Sequence, residues 1–352
     1  MDLSIAAILA QDGITSGAIY ALLALGLVLV FSVTRVILIP QGEFVSYGAL
    51  TLAAIESQKM PATCWLLVAL GGASFIVEVG AIARGRLQAR SRARALRTAA
   101  LRDVLFPLAV FGLAHTFAPR ANLPLAAQIA LTLLIVVPMG PYLYRLAFER
   151  VAQASTLVLL IVAVAVHLAL VGLGLLMFGA EGARTTSFSD ASISIGTLSV
   201  SAQSLWVVAT AAILIVALYL FFGRTLTGKA LRATSINRLG AQLVGIGTTR
   251  AGRIAFTLAA GLGALSGILV SPLTTIYYDG GFLIGLKGFV GAIIGGLVSY
   301  PIAAAGALLV GVLESYSSFW ASAYKEVIVF ALILPVLLWR SIASPQAEEA
   351  DE

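Results

Sequence analysis

The sequence predicts an all-α, polytopic helical bundle embedded in a lipid bilayer, and three observations carry that expectation. First, 60% of the 352 residues are hydrophobic and only 11% are charged, with a mean hydropathy of +1.02; a soluble domain carries about 25% charged residues. Second, the apolar residues form long uncharged runs, the opposite of the alternating pattern of outer-membrane strands. Third, the 34 Gly and 11 Pro lie inside those runs, which excludes a flexible Gly/Pro-rich chain. The 38 charged side chains (22 Lys and Arg, 16 Asp and Glu) are too few to cover a soluble globule of this length.

A helix needs about 20 apolar residues to cross the hydrocarbon core, so uncharged stretches mark the spans. The first lies between Asp12 and Arg35, followed by a short apolar segment at 44–55. Further runs lie between Lys59 and Glu78, Asp103 and Arg120, Arg120 and Arg145, Arg150 and Glu181, Asp190 and Arg224, and Arg253 and Asp279. The run after Lys287 is interrupted by the turn signal Ser299-Tyr300-Pro301, which splits it into a short piece at 287–298 and a full span at 302–320. A last segment lies between Glu326 and Arg340. The total is about 9–11 membrane segments, and the short ones read as re-entrant or broken helices, tolerated where protein buries their backbone.

Basic residues set the orientation, because cytoplasmic loops collect Lys and Arg. With the N-terminus outside and the C-terminus cytoplasmic, the inner side holds most of the 22: Arg35, the arginines from Arg84 to Arg102, Arg145, Arg150, the six basic residues from Arg224 to Arg253, and Arg340. Lys59, Arg120, Arg184, Lys287 and Lys325 fall outside. The net charge of +6 therefore reads as topology, not as nucleic-acid binding. The single cysteine, Cys64, excludes an intramolecular disulfide and a multi-Cys metal site. Residues 1–10 contain no Lys or Arg, so no secretory signal is expected and the first apolar segment stays as a span.

Residues 1–344 form the membrane domain in this reading, and 345–352 form an acidic disordered tail. The segment 84–102 carries seven arginines and reads as a basic helix at the cytoplasmic surface, in contact with anionic lipid. Residues 180–203 are rich in Ser and Thr and read as an external loop or short hairpin. In the soluble stretch 223–253, Ala230, Leu231, Ala233 and Ile236, then Leu239, Leu243, Val244 and Ile246, recur at spacings of three and four. That pattern predicts two short amphipathic helices, with breaks at Gly228 and around Gly245 to Gly247. Such helices either lie at the membrane interface or insert into a groove on a partner.

Three blocks, in order, resemble the branched-chain amino acid ABC-transporter permease family. They are Gly17-Ala18-Ile19-Tyr20-Ala21-Leu22-Leu23-Ala24-Leu25-Gly26, then Gly228-Lys229-Ala230-Leu231-Arg232-Ala233 with Ala241-Gln242-Leu243-Val244-Gly245-Ile246, then the run from Leu286 to Leu297 closed by Gly311 and Glu314. Within the family the pattern is most similar to the high-affinity leucine-transport class. The resemblance covers 11–56 and 123–340 and leaves 62–118 as an insertion of two spans and the Arg-rich loop. Where the family often has Asn-Phe-Ala-His-Gly, this chain has Leu38-Ile39-Pro40-Gln41-Gly42-Glu43.

The resemblance implies one half of the path of an ATP-driven importer for branched-chain or related amino acids, in the bacterial cytoplasmic membrane. Its partners would be a second permease subunit in a heterodimer, two ATP-binding cassette subunits, and a periplasmic or extracellular solute-binding protein. The chain carries no G-x-x-x-x-G-K-[ST] loop, so ATP would be hydrolysed by partner subunits, with no cofactor, metal or catalytic residue here. The ATPase-coupling positions carried over are Gly228, Lys229, Ala230, Arg232, Ala241, Gly245 and Ile246. The translocation-path candidates are Tyr20, Gln41, Gly42, Glu43, Gly295, Gly296 and Glu314.

An intramembrane carboxylate is costly and marks a functional site by default. Glu43, beside Gln41 and Gly42 at a helix break, reads as cavity-facing. Glu314 reads as either a packing hydrogen bond or a path residue, Glu78 as an ion pair with Arg84, and His115 and His167 as hydrogen-bonded structural residues without titratable partners at matching depth. Gly13-x-x-x-Gly17, Gly263-x-x-x-Gly267 and Gly291-x-x-x-Gly295 read as close helix contacts. The alternatives within reach are a permease for urea, an amide or a sugar, and a secondary transporter, which would need two matching halves that the sequence does not display.

Overall fold

A helix that is apolar on every side belongs in the interior of a bundle, and the first element takes that place. In a computed structural model that describes residues 3–84, 89–120, 123–195 and 198–343, α1 (Leu3–Thr34) has 83% of its most apolar window buried. The following helices are α2 (Gln41–Glu56), α3 (Thr63–Arg84), α4 (Ala89–Ala100), α5 (Phe106–Phe117), α6 (Leu125–Val136), α7 (Met139–Leu143) and α8 (Thr156–Phe178). A two-stranded antiparallel hairpin, β1 (Ser192–Ile195) and β2 (Leu198–Ser201), precedes α9 (Ala202–Arg224). Then come α10 (Leu226–Ile236), α11 (Arg238–Leu243), α12 (Thr248–Val270), α13 (Gly280–Ile294), α14 (Tyr300–Trp320), α15 (Lys325–Ala331) and α16 (Ile333–Ala343). Among the described residues, nine helices are long and apolar enough to cross a membrane. The protein is an all-α, polytopic membrane protein.

The centre is built from α1, α2, α12, α13 and α14, which pack on one another. Small residues let these helices touch. A Cβ at Gly42 would lie 2.3 Å from the Gly281 carbonyl oxygen, so α2 and α13 cross backbone to backbone. The Gly13 and Gly17 pair meets α14 at Leu308 and Val312, Gly267 meets Val45, and Gly291 meets Ala307. The outer helices show the opposite face: only 11% of the α9 window is buried, and Trp206, Ile213, Val216 and Tyr219 are exposed.

The segment 62–118 folds as two membrane-length helices, α3 and a continuous helix through α4 and α5. A π-helical turn, Leu101–Leu105, interrupts the second, and another, Tyr144–Phe148, follows α7. Each inserts one extra residue per turn and re-aims a side chain. They bring Arg102, Asp103 and Arg145 together: Arg145 donates to Asp103 at 2.9 Å and to Ser74 at 3.1 Å, and Arg102 Nε donates to Asp103 at 2.7 Å. Both arginines also bond Glu78. The partners of Glu78 are therefore Arg102 and Arg145, where sequence spacing suggested Arg84, whose side chain lies outside the described residues along with the acidic tail at 345–352. Arg145 is buried, so it acts inside the bundle and not as a loop charge.

Three other expectations change. Lys287 is no span boundary: it sits in the middle of α13, buried and hydrogen-bonded. His115 is exposed, and no described residue hydrogen-bonds it. Gly228 is no break, because it lies inside the first turn of α10, pressed on the Phe221 carbonyl.

Candidate functional site

Pro40 decides where the site forms. It lacks an N–H and disfavours helical geometry in the residue before it, so α1 cannot run on into α2. Arg35 adopts φ 62°, residues 35–38 are irregular, and Pro40 precedes the first turn of α2. Thr34 steadies the break, donating to the Val30 carbonyl at 2.7 Å and accepting from the Val36 N–H at 3.3 Å.

The first turn of α2 then carries Gln41, Gly42 and Glu43 into the interior. Gln41 Nε2 donates to the Ala259 carbonyl of α12 at 2.9 Å. Glu43 Oε1 meets His167 Nδ1 of α8 at 2.7 Å. The imidazole lies against Phe282, ring centres 4.5 Å apart. Lower on α2, Tyr47 donates to the Leu170 carbonyl at 2.6 Å, and Ser46 joins the start of α13 by accepting from the Gly281 N–H at 2.8 Å. Two oxygens stay unpartnered and buried, Gln41 Oε1 and Glu43 Oε2.

Beside them is a cavity of about 320 Å³, walled by α1, the 37–39 break, α2, α8 and α13. Leu27, Leu38, Val164 and Phe289 make most of it apolar; Gln41 and His167 are its polar side chains. Its size falls at the small end of ligand pockets, about 300–1,000 Å³. Of the three neighbours Gln41, Gly42 and Glu43, only Gln41 lines the cavity; Glu43, expected to face it, is turned to His167 instead. His167 was misread by sequence: it does have a titratable partner at its own depth, but that partner is 124 residues away, and nothing local signals the pairing.

The remaining path candidates sit elsewhere. Tyr20 donates to Glu314 Oε2 at 2.6 Å, and Lys287 Nζ reaches Glu314 Oε1 at 2.5 Å and Glu326 Oε1 at 3.1 Å. This cluster ties α1, α13, α14 and α15 together. Gly295 packs on Ala303, and Gly296 takes φ 65° in the turn from α13 to α14; neither lines the cavity.

On the opposite flank, α10 and α11 form two capped turns of helix. Thr225 Oγ1 accepts from the Gly228 N–H, and Asn237 Oδ1 accepts from the Gly240 N–H, each an N-cap that satisfies an orphan donor. Gly245, at φ 86°, closes α11 with the Ile246 N–H bonded back to the Ala241 carbonyl at 2.9 Å. Leu231 and Ala241 face inward, Ala230 and Ile246 are half-buried, and Lys229 and Arg232 point outward. Ile236, Leu239, Leu243 and Val244 are exposed, an apolar cluster at the tip.

Comparison with known proteins places this architecture. A family model described as branched-chain amino acid transport system / permease component matches residues 103–337. The chain belongs to that permease family. It is 26% identical over 340 residues to the high-affinity branched-chain amino acid transport system permease protein LivH of Escherichia coli K12, covering 93% of this chain and 91% of the relative. The Salmonella typhimurium LivH aligns equally well. BraD of Pseudomonas aeruginosa is 34% identical over a shorter stretch, 38% of this chain and 45% of its own. No solved structure matches. The family match takes in His167, the α10–α11 loop and the Lys287–Glu314 pair of this permease. The LivH alignment is long enough to include α2 with Gln41 and Glu43.

Proposed function

We propose that this permease forms one half of the translocation path of an ATP-driven importer for branched-chain or related amino acids. It would work in the bacterial cytoplasmic membrane, N-terminus outside and C-terminus in the cytoplasm. A second permease subunit, two ATP-binding cassette subunits and a periplasmic or extracellular solute-binding protein complete the machine; the chain binds no cofactor, and the partner subunits use the ATP. The observation that carries this reading is the cavity at the α1–α2 break, an apolar chamber with a few convergent polar groups at the core of the bundle. Broken helices at the midplane are how many transporters build such sites.

The apolar tip of α10 and α11 supports the coupling half of the reading. Ile236, Leu239, Leu243 and Val244 are exposed on rigid capped turns, suited to a groove on an ATPase subunit. Lys229 and Arg232 flank them, and Gly245 permits the sharp return into α12. Closure of the ATPases would push this element against α9, α1 and α12, on which α10 packs. Replacing Leu239 and Leu243 together with Asp tests it. Surface changes of this kind alter stability by about 0.5 kcal/mol or less, so the permease should purify normally yet fail to retain its ATPase subunits. Retained ATPase subunits with normal solute-stimulated hydrolysis would refute the assignment.

A further inference from the structure

Pro138 and Pro141 lack an N–H, and the helix that begins as α6 breaks at Pro138 before resuming as α7. α5 packs on α6 from one side, and α12 packs on α6 and α7 from the other. Between them lies a crevice of about 330 Å³, separate from the cavity at the α1–α2 break. Three of its walls repeat one arrangement. Arg102 stands four residues from Phe106, Arg145 four from Pro141, and Arg253 four from Thr257, and residues four apart lie one above the other on a helix. The chain enters at Arg102, leaves at Arg145 and enters again at Arg253, so all three arginines stand at one end of the crevice. That end carries the coupling loop: α11 directly precedes α12, and Arg238 of α11 donates to the Ala152 carbonyl at 2.9 Å.

We propose that this crevice binds one anionic phospholipid, with an acyl chain against Phe106, Val137, Pro138 and Pro141 and the phosphate on Arg102 and Arg253. Three arginines line the crevice against one acid, Asp103; Glu78 and Glu149, which balance them, do not line it. The acids also lie deeper. Asp103 is fully buried, whereas the Arg102 side chain is 43% exposed and that of Arg253 31%. Arg102 gives its Nε and Nη2 to Asp103 and Glu78, and Arg253 gives its Nε and Nη2 to Glu149. Among the described residues nothing bonds Nη1 of either guanidinium. Each Nη1 keeps two N–H donors, the partners a phosphate oxygen takes from arginine. A free phosphate ion would use only the charged end, and a neutral lipid only the apolar part. An anionic phospholipid uses both: its chain gains by burying methylene groups, and basic pockets between membrane helices hold anionic head groups. Bound there, it fastens the 62–118 segment to α12 beside the root of the coupling loop.

The test uses the complete transporter, delipidated in detergent, and measures binding of radiolabelled dioleoyl phosphatidylglycerol. The competitors are the unlabelled lipid, dioleoyl phosphatidylcholine, which has the same chains on a neutral head, and glycerol 3-phosphate, which has the head without chains. One saturable site is expected, at which phosphatidylglycerol competes about 10-fold better than phosphatidylcholine and glycerol 3-phosphate is weaker by about 100-fold or more. Thr257→Trp, which fills the crevice from a half-buried position, should abolish that site; gel filtration checks its fold. Arg102→Gln, which keeps a donor for Asp103, should cut the preference over phosphatidylcholine below about 3-fold, and decides the matter if the tryptophan variant does not fold. Replacing the exposed Arg94 and Arg97 of α4 together with Gln should leave site and preference unchanged. Equal competition by the two lipids, or an intact site in a folded Thr257→Trp, would overturn the proposal. So would an undiminished preference in Arg102→Gln, or a loss in the Arg94 and Arg97 variant as large as in Arg102→Gln, which would mark surface attraction alone. Glycerol 3-phosphate competing within about 10-fold of the lipid would replace the lipid by a free phosphate ester and overturn it as well.

Discussion

Glu314 accepts from Tyr20 with one oxygen and from Lys287 with the other, while Glu43 uses one oxygen for His167 and leaves the second unpartnered. Both carboxylates sit among membrane helices, where an ionisable group is costly, yet the protein treats them differently. Around Glu314 a lysine buried in the middle of α13 supplies the counter-charge and joins four helices. Among the described residues, the one ion-pair partner of Glu43 is the His167 imidazole, on a cavity wall. A lysine partner makes Glu314 part of a clamp; Glu43 is left with an imidazole and one unpartnered oxygen.

Removing the counter-charge from the clamp gives the largest effect. Lys287→Met leaves the half-buried Glu314 with only its Tyr20 hydrogen bond and no counter-charge, a loss of about 3 kcal/mol, seen as a lowered melting temperature and a poorly monodisperse protein in detergent. Adding Glu314→Gln to that variant should restore most of the loss, because neutral groups of similar shape tolerate burial better. Wild-type melting of Lys287→Met would show that the cluster is no clamp.

The open pair should respond in the other sense. Glu43→Gln keeps a hydrogen bond to His167 and leaves no described Lys or Arg without its partner, so its stability, read from the melting temperature, should stay within about 1 kcal/mol of wild type. A collapse as large as that of Lys287→Met would erase the distinction between the two carboxylates.

Much of this was legible in the sequence because apolar runs and Pro40 act locally. The spans follow from uncharged stretches, the α1–α2 break from Pro40, and the polar turn beside it from Gln41, which lines the cavity, and Glu43, which does not. The capped α11 turn was legible through Gly245, whose positive φ favours glycine. What escaped depends on distant packing. Lys287 looked like an edge because a charge in an apolar run usually is one; its place inside α13 is set by Glu314 and Glu326. Glu78 was matched to the nearest arginine along the chain, but π-helical turns deliver Arg102 and Arg145 to it instead. His167 meets Glu43 only because α8 lies against α2. Gly228 was read as a helix break, whereas its missing side chain lets α10 close onto the end of α9.

The central claim is that solute passes through the cavity at the α1–α2 break, and obstruction tests it most directly. Val164 lines that cavity from α8 and is partly exposed, so Val164→Trp can fill the chamber without displacing a buried core residue. In proteoliposomes carrying the complete transporter and its solute-binding protein, ATP-driven uptake of radiolabelled leucine by Val164→Trp should fall to background, with the complex still assembled. Uptake at the wild-type rate would contradict the account.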